Sequence, residues 1–298
     1  MTKLTLKDAP SQKGKIAIVT GANDGIGFET SLGLVSKGAS LIMACRNPQK
    51  AKDSMAKIKR DFPDADLSII QLDLNSLKSV SAFADEYKKT HSTLDILVNN
   101  AGIMVPPFAK TEEGFESQMG VNYFSHFLLT SLLMNELNAA ENGRVVSLSS
   151  LAHKNAKIDF DNLNSETRYN KSKAYGQSKL SCLMFAYELD RRLKASGSKV
   201  LSVAAHPGVS ATNLFVHWSS IMTKIMIPLM RPLMNTPEQA ALPSLMAAID
   251  SGAQGGDFYG PTGFAEMSGN ADKVKAKPQA HDTSVASKLW EVTEKLVG

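Results

Sequence analysis

Short apolar runs alternate with stretches of helical periodicity over most of the chain. Strands are predicted over residues 16–20, 40–45, 67–74, 94–102, 143–150 and 199–208. Helices are predicted between them over about 25–38, 47–62, 76–90, 112–139 and 173–195, with Asn47 as cap and Pro48 as first residue of the second. Such alternation indicates βαβ units and a parallel sheet with right-handed crossovers. The pattern therefore predicts a single doubly wound α/β domain over 1–298, with its core at about 15–208.

The segment 209–235 departs from this pattern. It is rich in Met, Ile and Leu, and Pro228 and Pro232 interrupt it. Two prolines argue against one long amphipathic helix. We expect a helical lid over an apolar pocket, and the alternative is a surface that touches a membrane or a partner.

Composition and charge exclude several classes of protein. The 298 residues carry a net charge of +4 from 33 basic and 29 acidic residues without a dense basic run, which argues against nucleic-acid binding. Cys45 and Cys182 are too few for a disulfide framework or a cysteine-ligated zinc site, and the six histidines lack metal-ligand spacing. The sequence contains no window of ~18 apolar residues, so no membrane-spanning helix is predicted. We expect a cytoplasmic protein in a reducing compartment, without a metal.

The stretch IAIVTGANDGIG, Ile16–Gly27, places a G-x-x-x-G-x-G loop between a strong strand and a strong helix. Such a loop turns the chain, admits a pyrophosphate to the backbone and presents it to the helix N-terminus. The predicted dinucleotide contacts are Thr20, Gly21, Asn23, Asp24, Gly25, Ile26 and Gly27. A carboxylate beside phosphate is repulsive, so we expect Asp24 to cap the following helix.

The end of the second strand distinguishes between two cofactors. Folds that bind NAD usually place Asp or Glu there for the ribose 2′-hydroxyl. This chain has Cys45 followed by Arg46, whose planar guanidinium suits a 2′-phosphate. NADP is therefore the predicted cofactor. NAD stays the alternative, because the Asp24 carboxylate would repel a nearby 2′-phosphate.

An ordered set of motifs resembles the short-chain dehydrogenase/reductase family. The motifs are TGANDGIG (20–27), LDL (72–74), NNAG (99–102), VN (121–122), VVSLSS (145–150), YGQSK (175–179) and HPGVSAT (206–212). TGAN-GIG, ACRN, SSLAH and HPG are similar to the retinol-dehydrogenase-like branch of that family. The resemblance implies a Rossmann fold and a nicotinamide cofactor.

The resemblance also implies further cofactor contacts. Asn100, Ala101 and Gly102 would line the adenosine and central region of the sheet, and Asp73, next to Leu74, would bond the adenine amine. The nicotinamide end would be held by Pro207, Gly208, Val209 and Thr212.

Tyr175 and Lys179 are the predicted reacting pair. Reduction of a carbonyl needs a proton for the oxygen, and free tyrosine, with a pKa near ~10, needs a nearby cation to exchange protons well at neutral pH. Four residues apart on a helix, the two side chains share one face. The resemblance assigns substrate orientation to Ser150 rather than Ser149, and a water that links Lys179 to solvent to Asn122.

The predicted function is an NADP-dependent oxidoreductase for an aldehyde, ketone or alcohol with an apolar body. The alternative is an NADP-binding sensor or scaffold without turnover, although such proteins typically lose the Tyr or Lys. The polar insertion 152–173 separates Ser150 from Tyr175 by more than in the commonest family members, and we expect it to shape the substrate entrance. It precedes the helix through which many relatives dimerise, so a homo-oligomer stays open.

Overall fold

The structure, a computed structural model, describes Leu6 and residues 9–209 and 235–298. Its eight strands form one sheet in the order β3-β2-β1-β4-β5-β6-β7-β8. The strands are β1 Ile16–Thr20, β2 Ser40–Cys45, β3 Leu67–Gln71, β4 Ile96–Asn99, β5 Arg144–Leu148, β6 Leu201–Ala205, β7 Phe258–Pro261 and β8 Ala271–Lys273. The order reverses between β1 and β4, which is where doubly wound sheets open a ligand crevice at their carboxyl ends.

The helices cover both faces of this sheet. They are α1 Gly25–Ser36, α2 Pro48–Asp61, α3 Leu77–Thr90, α4 Ser117–Met119, α5 Ser125–Leu132, α6 Met134–Ala139, α7 Lys171–Ala195, α8 Pro237–Ile249 and α9 Thr283–Val297. One apolar cluster takes side chains from α3, α5, α7 and α9, and a second takes them from α1, α2 and α8. Because both faces are covered, the inner strands are almost wholly buried and read as continuous apolar runs.

The α/β fold and the six predicted strands are confirmed: β1 and β2 have the predicted bounds, and the other four are shorter than predicted. The cap of α2 is confirmed as well, since Asn47 Oδ1 accepts a hydrogen bond from Lys50 N at 3.0 Å. The predicted parallel pairing is confirmed for these six strands, and the unpredicted β8 adds one antiparallel pairing with β7 at the edge. The predicted lid over 209–235 lies outside the described residues except for Val209 and Asn235.

The single helix predicted over 112–139 is wrong. Thr111 and Phe115 close a turn around Gly114, whose φ of 88° suits glycine. Glu116 then caps α4 by accepting from Gln118 N and Met119 N. A π-helical turn, Gly120–Phe124, joins α4 to α5, and Leu133 separates α5 from α6. The helical periodicity continues through these irregular turns, so it does not reveal them.

Within the part of the chain that the structure describes, no helix is long and apolar enough to cross a membrane. In the same residues, no group of three His, Cys, Asp or Glu side chains is arranged to hold a metal ion.

Candidate active site

A cavity of about 490 Å³ lies at the carboxyl ends of the central strands. It joins the start of α1 to the side chains of Tyr175 and Lys179. The predicted site residues on its wall are Gly21, Asn23, Asp24, Gly25, Ile26, Gly27, Arg46, Asp73, Leu74, Asn100, Ala101, Gly102, Tyr175, Lys179 and Pro207. The wall also contains Ser149 rather than the predicted Ser150, and seven residues to which the sequence assigned no role: Ala44, Leu72, Asn75, Ile103, Met104, Val121 and Leu148.

The glycine loop needs its glycines for two physical reasons. Gly21 and Gly25 have φ values of 68° and 51°, in the left-handed region. Gly27 lies so close to β1 that a Cβ there would overlap the Gly21 carbonyl oxygen and lie 2.5 Å from Asn100 Nδ2. The last glycine therefore brings the N-terminus of α1 against the strand end.

Asp24 is the N-cap of α1, which confirms the predicted cap. Its Oδ1 accepts from Gly25 N at 2.8 Å. Because Gly25 is the first helical residue, the N–H groups of Ile26 and Gly27 have no acceptor inside the helix. These donors and the positive end of the helix dipole form a cradle for an anion such as a pyrophosphate.

Arg46 directly follows β2 and is exposed on the cavity wall. Among the ion pairs formed within the described residues, none involves Arg46. Its neighbour Cys45 is buried, and burial raises the pKa of its thiol to about 11 although the backbone N–H groups of Ala22 and Asn23 bond to it. Cys45 is therefore a neutral support beneath the loop, while Arg46 provides a cation at this end of the cavity.

The NNAG segment is fastened to β1 through Thr20. Thr20 is fully buried and lies off the cavity wall, and its Oγ1 accepts from the N–H groups of Asn100 and Ala101, both at 2.9 Å. Asn100 Nδ2 also donates to the Thr20 carbonyl at 2.7 Å. These bonds hold Asn100, Ala101 and Gly102 along the cavity.

His126 completes this network and was missed by the sequence analysis. Its Nδ1 lies 3.0 Å from the Asn122 carbonyl oxygen and its Nε2 lies 3.0 Å from Thr20 Oγ1. Burial lowers the pKa of His126 to about 4, so the ring is neutral at pH 7. The carbonyl can only accept, so Nδ1 carries the proton and Nε2 accepts from the Thr20 hydroxyl. Only its spacing of four from Asn122 on a helix could have pointed to it.

Tyr175 and Lys179 lie one turn apart on α7, and their exposed fractions are 9% and 6%. Lys179 Nζ donates to the Leu148 carbonyl at 3.1 Å. A Cβ built on Gly102 would lie 3.3 Å from Lys179 Nζ, so the NNAG turn passes directly beside the ammonium group. The pair therefore lies where the end of β5 meets the turn after β4.

Asn122 is buried behind this pair rather than on the cavity wall. Its Oδ1 accepts from Ile103 N at 2.8 Å, and its Nδ2 donates to Ile103 O at 3.0 Å and to Ser178 Oγ at 2.9 Å. The side chain thus connects the NNAG turn to α7. The backbone carbonyl of Asn122 accepts hydrogen bonds from His126 Nδ1 and from Cys182 Sγ. The water that Asn122 is expected to hold beside Lys179 stays a prediction.

The two serines that follow β5 have different environments. Ser149 is buried, and its hydroxyl donates to the Lys179 carbonyl at 2.7 Å. Ser150 is half-buried, and its Oγ accepts from Ala152 N at 3.2 Å. A hydroxyl that accepts in this way keeps its proton for another partner. Ser149 lies on the cavity wall and Ser150 does not, so the contact of Ser150 with a substrate stays a prediction.

The HPG segment differs from its expected arrangement. Pro207 lies on the cavity wall, but Gly208 and Val209 do not. Gly208 N donates to His206 Nδ1 at 3.2 Å, and Val209 N donates to the Met267 carbonyl at 2.8 Å. His206 Nδ1 and the turn around Met267, neither of which the sequence predicted, thus accept these two N–H groups. Thr212 lies outside the described residues.

Fold and site together define an oxidoreductase of the α/β class that uses a nicotinamide dinucleotide. The chain belongs to the short chain dehydrogenase family, whose model matches residues 15–221. It acts on CH–OH groups and their carbonyl counterparts, as this family does.

Relatives and solved structures agree with this assignment. The chain is 42% identical to human retinol dehydrogenase 13 over 96% of its length and 85% of that protein. A crystal structure of a protein from Mycobacterium paratuberculosis is 37% identical, with a TM-score of 0.83 over 99% of this chain and 98% of the other. The Pseudomonas aeruginosa RhlG/NADP active-site complex is 25% identical, with a TM-score of 0.66 over 83% and 94%.

Proposed function

We propose that this protein is an NADP-dependent oxidoreductase for a retinoid-like alcohol or carbonyl compound with an apolar body. One observation carries the proposal: a single cavity connects the N-terminus of α1 and Arg46 to the Tyr175–Lys179 pair. The similarity to retinol dehydrogenase 13 supports the substrate class, and the similarity to the RhlG/NADP complex supports the cofactor.

The residues on the wall suit NADP. The N–H groups of Ile26 and Gly27 would hold the pyrophosphate, and Arg46 would pair with the 2′-phosphate. Asp73 would accept from the adenine amine, and Lys179 would bond the nicotinamide ribose. When bound, the nicotinamide supplies or accepts the hydride.

The proton steps belong to the chain itself. In the reducing direction Tyr175 Oη donates its proton to the substrate oxygen, and in the oxidising direction it takes that proton back. The Lys179 ammonium, held by the Leu148 carbonyl, stabilises the phenolate that forms. Ser150 donates a hydrogen bond to the same oxygen and orients it. Asn122 holds the NNAG turn and α7 in register around the pair.

The test is cofactor consumption by the purified protein against retinal, medium-chain aldehydes, steroids and quinones, with NADPH and NADH in parallel. Tyr175→Phe is expected to lower kcat by on the order of 10²–10⁴ and to leave the Kd for NADPH unchanged. Tyr187→Phe, which alters a phenol away from the cavity, is the matched control.

Tight NADPH binding without turnover of any compound would favour the sensor or scaffold instead. Faster turnover with NADH would favour NAD as cofactor. A cytoplasmic location and a homo-oligomer stay predictions, and the free, buried thiols of Cys45 and Cys182 suit a reducing compartment.

A further inference from the structure

The backbone of Val105 has an unusual conformation close to the reacting pair. Its φ is 49°, a region that a β-branched residue rarely adopts, and the residue is buried. Val105 follows Ile103 and Met104, which both lie on the cavity wall. Backbone strain of this kind persists only where the surrounding structure enforces it.

Two side chains enforce it. Val105 N donates to Gln118 Oε1 at 2.8 Å, and Gln118 is fully buried. Gln118 Nε2 donates to Tyr169 Oη at 3.2 Å and to the Lys171 carbonyl at 3.1 Å. Tyr169 Oη in turn donates to the Pro106 carbonyl at 2.7 Å. The orientation of the Gln118 amide is determined, because Val105 N–H can only donate and the Lys171 carbonyl can only accept. We name Gln118 and Tyr169 the loop clamp.

The loop clamp joins the polar insertion to the loop after β4. Tyr169 belongs to the insertion, and its ring meets the edge of Phe108 with centroids 5.2 Å apart. Further along, Lys110 Nζ and Glu166 Oε1 form an ion pair at 3.0 Å. The insertion therefore rests on the loop at more than one point.

The clamped loop adjoins the reacting end of the cavity. Gly102 passes beside Lys179 Nζ, and Ile103 is held on both backbone groups by Asn122. Met104 is the next residue along the wall, and the clamp begins at Val105. The position of the Met104 side chain thus depends on a backbone that is held from one side by Asn122 and from the other by Gln118.

We infer that Gln118 and Tyr169 are positioning residues that set the substrate preference, because they hold Met104 against the body of a long apolar substrate. The inference rests on the proposed function. A short aldehyde reaches Tyr175 without contacting Met104, so its turnover does not depend on the clamp. A long aldehyde lies along the wall, so its turnover does.

The experiment compares Tyr169→Phe with Tyr87→Phe. The Tyr87 hydroxyl also donates to a backbone carbonyl, that of Thr93 at 2.6 Å, but lies away from the cavity. Tyr169→Phe is expected to lower kcat/KM for retinal about tenfold, as for the loss of one hydrogen bond, and to leave propanal within about twofold. Tyr87→Phe is expected to leave the ratio of kcat/KM for retinal to kcat/KM for propanal unchanged. Hydrogen exchange of the peptide 103–109 should quicken in Tyr169→Phe alone.

Rescue separates positioning from a general loss of stability. Glycine adopts positive φ without steric cost, so Val105→Gly in the Tyr169→Phe background should restore the loop, the exchange rate and the preference for retinal. Unchanged exchange in Tyr169→Phe overturns the clamp, even if the protein turns over no aldehyde and the proposed function fails. Faster exchange with an unchanged retinal-to-propanal ratio, or no rescue by glycine, overturns the role in substrate preference.

Discussion

His206 Nε2 lies 3.1 Å from Glu266 Oε2, in a pair that connects the end of β6 to the turn Phe264–Glu266 between β7 and β8. His206 Nδ1 accepts from Gly208 N, so Nε2 carries the proton and donates to the carboxylate. The other carboxylate oxygen pairs with Lys154 Nζ at 3.0 Å. His206, which precedes Pro207, is thus connected to this turn directly and, through Glu266, to Lys154 of the insertion.

Stability is expected to fall between about pH 6.5 and pH 4. Burial lowers the pKa of His206 and of His126 to about 4, against 6.5 for free histidine, and lowers that of His153 as well. In this window the unfolded chain binds more protons, so the free energy of unfolding falls as pH falls, on the order of a few kcal/mol for each deeply buried ring. Urea unfolding across this range measures it.

The control is His206→Asn, whose amide can accept from Gly208 N but does not titrate. Its free energy of unfolding should depend less steeply on pH than that of the wild type. An equal slope in the two proteins would show that His206 does not contribute.

The two serines after β5 should separate catalysis from stability. Ser150→Ala is expected to lower kcat/KM on the order of 10²–10³, because a donor to the substrate oxygen is lost. Ser149→Ala removes a hydrogen bond to the Lys179 carbonyl, and should cost about 1 kcal/mol of stability with a small effect on turnover. Steady-state kinetics and urea unfolding of both variants test this, and reversed effects would assign the role to Ser149.

Arg46→Ala should weaken NADPH binding and spare NADH. Loss of a charge-assisted contact to the 2′-phosphate is expected to raise the Kd for NADPH by roughly 10- to 100-fold. Arg60→Ala, in an exposed position on α2 off the cavity wall, is the control. Fluorescence titration with both cofactors measures the two constants, and a parallel loss for NADH would contradict a 2′-phosphate role.

Asp24→Asn should strengthen NADPH binding. The amide caps α1 as well as the carboxylate does, while one negative charge leaves the cavity wall. The Kd for NADPH is expected to fall roughly two- to fivefold, more at low salt than at high salt. Titrations at two ionic strengths provide the measurement, and weaker binding would mean that Asp24 itself contacts the ligand.

Local spacing accounts for what the sequence revealed of the site. The glycine loop, Arg46 at a strand end, and Tyr175 with Lys179 on one helix face are all defined by residues near each other in the chain. Thr20 and Asn122 were predicted as site residues, yet the structure places them behind the cavity wall, where each hydrogen-bonds to a residue that lines the cavity.

Residues that act through distant contacts could not be found in this way. His126 contacts Thr20 across 106 residues, and Gln118 contacts Tyr169 across 51. The strands β7 and β8 have four and three residues, too few for a readable apolar pattern. The β7 strand joins the sheet because β6 offers it an open edge, which is a property of the assembled fold.

The hydrogen bond from Asn235 N to the Val209 carbonyl, at 2.9 Å, closes the chain on itself at the edge of the site. The polypeptide leaves and re-enters the described fold at one point, so the two attachment positions are set by the sheet and by α8. Because the two ends meet, a change in the number of residues between them alters the entropy of loop closure only slowly. The attachment itself therefore tolerates insertions and deletions between Val209 and Asn235, because each doubling of the length costs only about 0.6 kcal/mol of closure entropy.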